Sequence, residues 1–271
     1  MKTKVTKRPE HAGKVSQVAN AVSDDLLGQV ALVTGGAKRV GRAVALCLAE
    51  AGMDVAITYR ASEFEARDVV EKIEALGRRG VAIDIDLAKR HAAKEVHDRF
   101  CRYFDRLDAL INNASMFQPA SVRDMALETF EQHMAVNARS PLMLIQQFAK
   151  FLEAGYPRRR GRVVNFIDIH VMGQPLKGYM AYNVSKAALQ EVTMTAAVEL
   201  APRITVNAVA PGVVAWAPAY TPEERELYMK RVPLARPGTP DDAAAAVLFL
   251  VRDAEYCTGQ ILKLDGGRLL T

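Results

Sequence analysis

The feature that most constrains how this chain folds is a regular alternation between short apolar segments and longer segments with helical periodicity. The short apolar segments lie near residues 29–34, 54–59, 81–85, 107–112, 162–167, 203–209 and 260–264. Between them, segments such as 40–51 and 178–200 repeat apolar residues at the spacing of one helix face. Short strands that alternate with helices of about ten residues or more are typical of a parallel sheet with helices on both faces. The sequence therefore predicts an α/β fold with a single doubly wound parallel sheet.

Composition along the chain predicts one folded unit preceded by an arm. Residues 1–27 are polar, show little periodicity and are predicted to form a flexible arm. No composition break divides residues 28–271, which are predicted to form a single domain. The chain has no apolar run near the ~18–20 residues that span a bilayer, and its first residues lack the apolar core of a secretory signal. We therefore expect a cytoplasmic protein with no membrane association.

Cysteine, histidine and arginine usage excludes several functional classes. The three cysteines are far apart and the five histidines show no ligand spacing, which favours free thiols and predicts no metal site. The net charge of +5 suits either a nucleic acid or an anionic cofactor. The densest basic run, residues 157–162, is predicted to be a solvated loop. Because no aromatic residues are interleaved with it, no nucleic-acid partner is predicted; a basic nucleic-acid binder is the alternative that depends on this run alone.

The first predicted strand runs directly into a glycine-rich turn at residues 34–37, and a helix begins near Val40. Glycine allows a tight turn and close backbone approach to a pyrophosphate, while the helix N-terminus offers free N–H groups. Lys38, Arg39 and Arg42 crowd this helix start, where the helix dipole disfavours cations, so we expect an anion among them. The segment predicts a Rossmann-type dinucleotide site; an ordinary strand-to-helix turn is the alternative.

The end of the second predicted strand indicates which dinucleotide binds. An NAD-specific site has an acidic residue about 20 residues past the glycines, which binds the ribose 2′-hydroxyl. The chain instead has Tyr59, Arg60 and Ser62 there, and Arg60 and Ser62 offer donors to a 2′-phosphate. We therefore predict NADP(H) as the cofactor; a surface arginine at a strand end is the alternative for Arg60. Asp86, followed by Leu87, either accepts a hydrogen bond from the adenine amino group or caps a helix.

A candidate catalytic pair lies within the helical segment 178–200. Tyr182 and Lys186 are four residues apart, which places both side chains on one helix face. A lysine cation beside a phenol stabilises the phenolate, so the spacing predicts that the pKa of Tyr182 is lowered towards the working range of a catalytic acid. The pair alone is a weak signal, because this spacing occurs by chance in many helices.

The order and spacing of several motifs resemble the short-chain dehydrogenase/reductase family over essentially all of residues 28–271. The motifs are the glycine-rich turn, Asn112-Asn113-Ala114, Asn137, the Tyr182/Lys186 pair, Pro211-Gly212 and Leu264-Asp265-Gly266-Gly267. The resemblance implies that Tyr182 donates a proton and that Lys186 binds the nicotinamide ribose and lowers the pKa of Tyr182. It implies that Asn137 supports a water-linked proton relay and that Asn113 holds the central sheet. It also implies a homotetramer, for which the helical segments 124–153 and 178–200 are candidate contacts.

The cofactor predicted from these residues and this resemblance is NADPH. The residues predicted to bind it are Gly35, Lys38, Arg39, Val40, Tyr59, Arg60, Ser62, Asp86, Leu87, Asn113, Ala114, Ser115, Lys186, Pro211 and Gly212.

The chain departs from the family pattern at Asp168. The family usually has a serine about a dozen residues before the tyrosine, where it holds the substrate carbonyl, whereas residues 165–170 contain no Ser or Thr. An ionised carboxylate at this position repels the oxyanion that forms during ketone reduction. It suits a substrate that presents N–H groups or a ring nitrogen that needs a proton. The alternatives are that Asp168 only caps the strand end or that the enzyme is inactive.

Arg39, Phe117 and Asp168 together resemble the pteridine reductase branch, which includes bacterial dihydromonapterin and dihydrofolate reductases. The resemblance implies that a pterin lies between the nicotinamide and the Phe117 ring, that Ser115 contacts substrate and cofactor, and that Arg39 reaches phosphate and pterin. The predicted activity is the NADPH-dependent reduction of a dihydropterin or dihydrofolate to its tetrahydro form. The residues predicted to contact this substrate are Arg39, Ser115, Phe117, Asp168, Tyr182 and, from a lid near residues 215–235, Trp216 and Tyr228.

Two other functions stay open at this point. One is a general NADPH-dependent carbonyl reductase of the same family, acting on a ketone, quinone or 3-oxoacyl group, against which Asp168 argues. The other is a non-catalytic NADP(H)-binding protein, against which the intact Tyr182/Lys186 pair argues.

Overall fold

Seven parallel strands form one sheet in the computed structural model, which describes residues 26–216 and 220–271. The strand order is β3-β2-β1-β4-β5-β6-β7. The strands are β1 (Val30–Val33), β2 (Asp54–Tyr59), β3 (Gly80–Asp84), β4 (Ala109–Asn112), β5 (Gly161–Phe166), β6 (Ile204–Pro211) and β7 (Ile261–Leu264). Each overlaps the apolar segment predicted for it. The predicted Rossmann-type fold class is therefore confirmed.

Helices connect the strands and cover the sheet. They are α1 (Arg39–Glu50), α2 (Glu63–Ala75), α3 (Ala92–Phe100), α4 (Leu127–Met134), α5 (Ser140–Glu153), α6 (Met180–Glu199), α7 (Pro222–Met229) and α8 (Pro240–Arg252). A π-helical segment, Ala135–Arg139, joins α4 to α5 without a loop. The segment predicted as helix at 124–153 is therefore one continuous helical rod from Leu127 onwards, with a widened turn in its middle.

Both faces of the sheet are buried, which explains why the strands read as continuous apolar runs. Successive side chains of a strand point to opposite faces. In β1, Ala31 and Val33 pack with the helices α1, α2 and α8, whereas Val30 and Leu32 pack with α3, α5 and α6. No face of β1 is left for polar residues, as expected for a parallel sheet between two helical layers.

The strand order fixes where ligands bind. The chain runs outward from β1 through β2 to β3, and then returns so that β4 lies on the other side of β1. In open α/β sheets, ligands bind in the crevice at the carboxyl ends of the strands where this reversal occurs. The segments that follow β1, β2 and β4 therefore converge at one edge of the sheet.

The structure bears on two polar segments of the sequence, the N-terminal arm and the arginine run. Residues 1–25 of the predicted arm lie outside the described residues, but Leu26 is 5% exposed and packs in the core beside α1, two residues before the predicted domain start. The prediction of a solvated arginine loop is wrong for Arg162. This residue lies in β5 and is buried, its guanidinium donates to the Val251 and Arg160 carbonyls, and burial lowers its pKa.

Among the described residues, no helix combines the length and the apolar character that crossing a bilayer requires.

Replacing a central strand residue should destabilise the fold far more than replacing a surface leucine. Leu110 in β4 is fully buried, so Leu110→Ala should lower the free energy of unfolding by about 2–5 kcal/mol in chemical denaturation. Leu127→Ala is the matched control, because Leu127 is 65% exposed, and it should cost less than about 0.5 kcal/mol. Equal losses in the two variants would contradict the assignment of Leu110 to the core.

Candidate active site

A cleft of about 690 Å³ opens at the carboxyl ends of the central strands. It brings together most of the residues predicted to bind the cofactor, namely Gly35, Lys38, Arg39, Val40, Tyr59, Arg60, Asp86, Leu87, Asn113, Ala114, Ser115 and Gly212. Pro211 and Lys186 line an adjoining pocket. Ser62 lies at the start of α2 and is not among the residues of the cleft wall.

Gly35 in the glycine-rich turn and Gly41 in the first turn of α1 have no room for a side chain. Gly35 has a φ of +64°, which favours glycine, and a Cβ on Gly41 would collide with the Gly35 carbonyl. Asn113 donates from its side chain to the Thr34 and Gly35 carbonyls at 2.8 and 3.1 Å. The hydroxyl of Thr34 in turn accepts from the main-chain N–H groups of Asn113 and Ala114. The turn after β1 is thus fixed to the segment after β4.

The start of α1 fits the pyrophosphate of a dinucleotide. The N-cap residue, Lys38, makes no side-chain cap hydrogen bond, and the first turn contains no acidic residue. The first N–H groups of a helix have no partner within the helix, and they carry the positive end of the helix dipole. A phosphate that approaches the narrow glycine turn is therefore met by N–H donors and by no carboxylate of this turn.

Two of the basic residues around the turn form ion pairs with acidic residues of α2. Lys38 pairs with Glu65 at 2.7 Å and Arg42 pairs with Asp68 at 3.3 Å, so acids of α2 already balance two of the three cations. The expectation that an anion lies among these three residues stays a prediction. The Lys38–Glu65 pair is largely exposed, and such pairs contribute little and exchange partners readily.

Arg39 joins the glycine turn to the predicted lid. It has a φ of +52°, a backbone conformation that residues other than glycine rarely adopt. Its guanidinium donates to the carbonyls of Ala215 at 2.6 Å and Trp216 at 3.3 Å. Because Arg39 lines both the cleft and the adjoining pocket, it stands at the boundary between them.

Asp86 lies in the cleft wall and does not cap a helix. Its Oδ1 accepts the N–H of Ala88 at 2.9 Å, and the next helix, α3, starts only at Ala92. The capping alternative is therefore wrong. A carboxylate accepts several hydrogen bonds, so the turn it closes leaves Asp86 with acceptor capacity towards the cleft.

A smaller pocket of about 270 Å³ adjoins the cleft and holds the candidate catalytic residues. The two cavities share Arg39, Val40, Asn113, Ser115, Gly212, Val214 and Ala215. The pocket also contains Phe117, Asp168, Tyr182, Lys186 and Tyr228, all predicted from the sequence, together with His170 and Tyr220, which sequence reasoning missed.

Asp168 and Tyr182 are joined by a short hydrogen bond in this pocket. Tyr182 Oη donates to Asp168 Oδ2 at 2.6 Å, and Asp168 Oδ1 accepts the N–H of His170 at 2.8 Å. Asp168 caps the single 3₁₀ turn Ile169–Val171 that follows β5. The carboxylate therefore both caps the strand end and contacts the phenol, so the two interpretations of Asp168 are compatible.

The pKa of Tyr182 moves in the direction opposite to the one predicted. Burial, followed by the charge and hydrogen bond of Asp168, raises the pKa of Tyr182 well above its usual range. Lys186 does not outweigh these effects, and the expectation of an acidified phenol is wrong for the structure described. The physical reason is that a phenolate would have to form on a side chain buried from water, next to a carboxylate.

Lys186 is buried with its ammonium against β5. Its Nζ donates to the Phe166 carbonyl at 2.6 Å and lies 5.8 Å from the centre of the Tyr182 ring. Burial lowers the pKa of Lys186 to about 8, and the negative charge of Asp168 partly opposes this. An ammonium has three N–H donors, so a donor remains for a ribose hydroxyl.

Asn137 positions neighbouring segments with its side chain. It lies in the π-helical segment, accepts the N–H of Met116 at 2.7 Å, and donates to the Met116 carbonyl and to Ser185 at 2.9 Å each. These contacts fix the segment after β4 to α6, one turn from Tyr182. The relay assigned to Asn137 stays a prediction, because its side-chain amide is engaged in these contacts.

Aromatic rings form much of the remaining pocket wall. Phe117 stacks on Tyr179 at 4.6 Å between ring centres and meets the edge of Tyr182 at 4.8 Å. Trp216 is not among the pocket-lining residues; its ring packs against Tyr220 and Tyr228 at 5.5 and 5.6 Å. Part of the predicted lid, residues 217–219, lies outside the described residues.

The residues that sequence reasoning missed carry weak local signals. His170 and Ser185 lie within two or three residues of Asp168 and Tyr182, and only the fold shows that His170 N–H holds Asp168. Ser185 donates to the Tyr182 carbonyl within α6 at 2.8 Å. Tyr220 lines the pocket from the predicted lid, far in sequence from Asp168 and Tyr182.

A dinucleotide cleft beside a buried tyrosine–lysine pair defines a nicotinamide-dependent oxidoreductase. A family model described as "Enoyl-(Acyl carrier protein) reductase" matches residues 35–268, and the chain belongs to this short-chain dehydrogenase/reductase family. A curated relative from Synechocystis, a 3-oxoacyl-[acyl-carrier-protein] reductase, is 34% identical over 249 residues, covering 90% of this chain and 98% of its own length.

Solved structures agree with the fold and with the cofactor. A short-chain dehydrogenase from Burkholderia cenocepacia, in complex with NADP, is 38% identical with a TM-score of 0.84, covering 90% of this chain and 99% of its own. The angucycline C-6 ketoreductase LanV, with bound NADP, is 30% identical with a TM-score of 0.84, covering 92% and 98%. The predicted cofactor is confirmed: the chain is an NADP-dependent oxidoreductase.

Removing the Arg60 guanidinium should weaken NADPH binding and spare NADH. Arg60 lines the cleft where the 2′-phosphate is expected, and a charge-assisted contact of this kind is worth about a factor of ten in affinity. Arg60→Gln should raise the NADPH Kd by about that factor, measured by cofactor fluorescence. Arg67→Gln is the control, since Arg67 pairs with Glu63 on the surface of α2. An equal effect on NADH would contradict a 2′-phosphate contact.

The pH dependence of reduction should report Lys186. With its pKa near 8, Lys186 loses its charge as the pH rises through that value, whereas Tyr182 keeps its proton to higher pH. We therefore expect kcat/KM, which reports groups of the free enzyme, to fall above about pH 8. Asp168→Asn removes a charge that raises the pKa of Lys186, so the fall should move to lower pH. An unmoved profile would assign the fall to another group.

Proposed function

We propose that this chain is an NADPH-dependent reductase of a pterin-type substrate, converting a dihydropterin or dihydrofolate to its tetrahydro form. The observation that supports this best is the 2.6 Å contact between Tyr182 Oη and Asp168 Oδ2, in a pocket that adjoins the cofactor cleft. A carboxylate in contact with the proton donor changes which substrates the site stabilises.

Charge is the first reason. A ketone accumulates negative charge on oxygen as hydride arrives, and a site for this reaction aims hydrogen-bond donors at that oxygen. Here Tyr182 is one donor, but the neighbouring group is the carboxylate of Asp168, which accepts hydrogen bonds and repels an oxyanion. A pterin ring presents N–H groups that donate to a carboxylate, and its C=N nitrogen accepts the proton.

The shape of the pocket is the second reason. Aromatic rings of Phe117, Tyr220 and Tyr228 line it together with the apolar side chains of Leu176 and Val214. Aromatic faces bind flat heteroaromatic rings by stacking. The volume of about 270 Å³ suits one small ring system beside the nicotinamide, with any longer tail outside.

The residues of the chain hold and move one proton. When bound, NADPH supplies the hydride. Tyr182 keeps its proton because burial and Asp168 raise its pKa, so Tyr182 Oη is a donor across the physiological range. Asp168 orients that hydroxyl and accepts substrate N–H groups, while Lys186 places a positive charge beside Tyr182 that favours the phenolate left after transfer.

A carbonyl reductase is the second candidate, and the relatives favour it over pterin reduction. The Synechocystis relative is named for reduction of a 3-oxoacyl group and LanV is named as a ketoreductase. Both cover most of this chain, and a ketone also accepts a proton from a tyrosine. The argument against this candidate rests on Asp168 alone, so substrate assays decide between the two.

Substrate assays of the wild-type chain and of pocket variants test the proposal. Dihydrobiopterin and dihydrofolate should be reduced faster than a panel of ketones, quinones and a 3-oxoacyl thioester. Tyr182→Phe should lower kcat by about a hundredfold or more, because it removes the proton donor, and leave the NADPH Kd unchanged. Asp168→Asn should lower pterin turnover, and Asp168→Ser should not restore it but should increase ketone reduction.

A control variant on the surface should behave differently from the pocket variants, and two results would contradict the proposal. Asp124→Asn removes an exposed carboxylate that contacts only Ser121 in the described hydrogen bonds, and it should change neither activity. Fast ketone reduction without pterin reduction in the wild type would establish the carbonyl reductase candidate. NADPH binding without oxidation by any substrate would indicate a non-catalytic NADP(H)-binding protein.

A further inference from the structure

The turn at residues 265–271 packs against Pro233 and Leu234, at the end of the predicted lid. The carboxylate of Asp265 accepts the N–H groups of Gly267 and Leu269 at 3.0 and 2.9 Å, which closes the turn on itself. Leu234 N–H donates to the Gly266 carbonyl, and a Cβ on Gly267 would lie 3.0 Å from Pro233. The turn is therefore a fixed base from which side chains reach the substrate pocket.

Arg268 extends from this turn into the protein. It is 7% exposed, and burial lowers its pKa. Its Nη1 donates to Gln174 Oε1 at 2.7 Å, and its guanidinium carbon lies 5.2 Å from the centre of the Tyr228 ring. A buried guanidinium over an aromatic face is a favourable contact, so Arg268 holds Tyr228 by its ring.

Gln174 connects this arginine to the catalytic carboxylate. Its side-chain oxygen accepts from both Arg268 and Arg231, and its main-chain oxygen lies 2.8 Å from His170 Nδ1. The N–H of His170 in turn donates to Asp168 Oδ1 at 2.8 Å. A chain of direct contacts thus runs from the 265–271 turn to the carboxylate that holds Tyr182.

Tyr228 carries the second connection, to the opposite wall of the pocket. Its ring lines the pocket, and its Oη accepts the N–H of Val213 at 3.2 Å. A Cβ on Gly212 would lie 2.9 Å from the same Oη, so the hydroxyl sits closely against this strand end. Movement of Arg268 would therefore reach the pocket through Gln174 on one side and through Tyr228 on the other.

We infer that Gln174 and Arg268 are positioning residues of the reductase, which brace two walls of the substrate pocket from the 265–271 turn. Neither side chain delivers a proton or lines the cofactor cleft. Their effect is on the placement of Asp168 and Tyr228, and so on the use of substrate. The inference rests on reductase activity at this pocket and not on the identity of the substrate.

Gln174→Leu, Gln174→Glu and Arg268→Met test this inference in the full chain. Gln174→Leu and Arg268→Met should lower kcat/KM for the substrate by about tenfold, the usual effect of losing one hydrogen bond to a charged group. The NADPH Kd should stay within about twofold, because neither Asp168 nor Tyr228 lines the cofactor cleft. Gln174→Glu keeps an acceptor for both arginines and should retain most of the activity.

Amide hydrogen exchange supplies a readout that needs no substrate. Exchange at His170 and Val213 should become faster in Gln174→Leu and Arg268→Met, since these N–H groups are held by Asp168 and Tyr228. Lys230→Gln is the control: Lys230 is exposed beside Arg231, pairs with Glu226, and should leave exchange and kinetics unchanged.

The outcomes separate this inference from the proposed function. Kinetics are measured with whichever substrate the wild type reduces, so a preference for ketones would overturn the pterin proposal and leave this test intact. Unchanged kcat/KM and unchanged exchange in Gln174→Leu would overturn the inference. An equal loss of NADPH affinity and substrate use, with a lower Tm, would also overturn it, because it would show a general structural role.

Discussion

Contact between the half-buried carboxylate of Asp168 and the buried phenol of Tyr182 is the interaction on which the rest of this site depends. Asp168 and Tyr182 come from different elements, the turn after β5 and the first turn of α6, and they meet at 2.6 Å, with the Tyr182 side chain buried from water. In such surroundings a second negative charge is costly, so the phenol keeps its proton. The proposed preference for a pterin over a ketone rests on this pair.

The fold supports this contact by fixing α6 to the sheet. A buried ladder of side chains runs from Asn112 in β4 to Asn165 in β5 and on to Thr193 in α6, with hydrogen bonds of 2.8 and 2.9 Å. Buried polar groups need partners, so these hydrogen bonds favour one arrangement of the three elements, although Asn112 Oδ1 has no partner among the described residues. Asn137 and Ser185 add a second tie nearer to Tyr182. Hydrogen bonds therefore fix α6 at two points along its length, at Thr193 and at Ser185.

Sequence patterns predict most of the cofactor site, because its residues follow strands at regular points. The glycine turn follows β1, Arg60 follows β2 and Asn113 follows β4, and parallel strands bring these points to one edge. Interactions between distant residues are harder to predict. The ion pairs of Lys38 and Arg42 with α2, and the burial of Arg162, depend on how helices and strands pack, and no local pattern reports them.

Periodicity and motif spacing are local properties of the chain, and they predict the sheet, the NADP cleft and the tyrosine, lysine and aspartate of the candidate site. The tertiary structure sets the protonation of that tyrosine, because burial and the approach of Asp168 raise its pKa despite the neighbouring lysine. It also decided that Gln174 and Arg268 lie behind the pocket, 94 residues apart in sequence. Desolvation and long-range contact arise from the packing of whole elements, which no single segment of the chain contains.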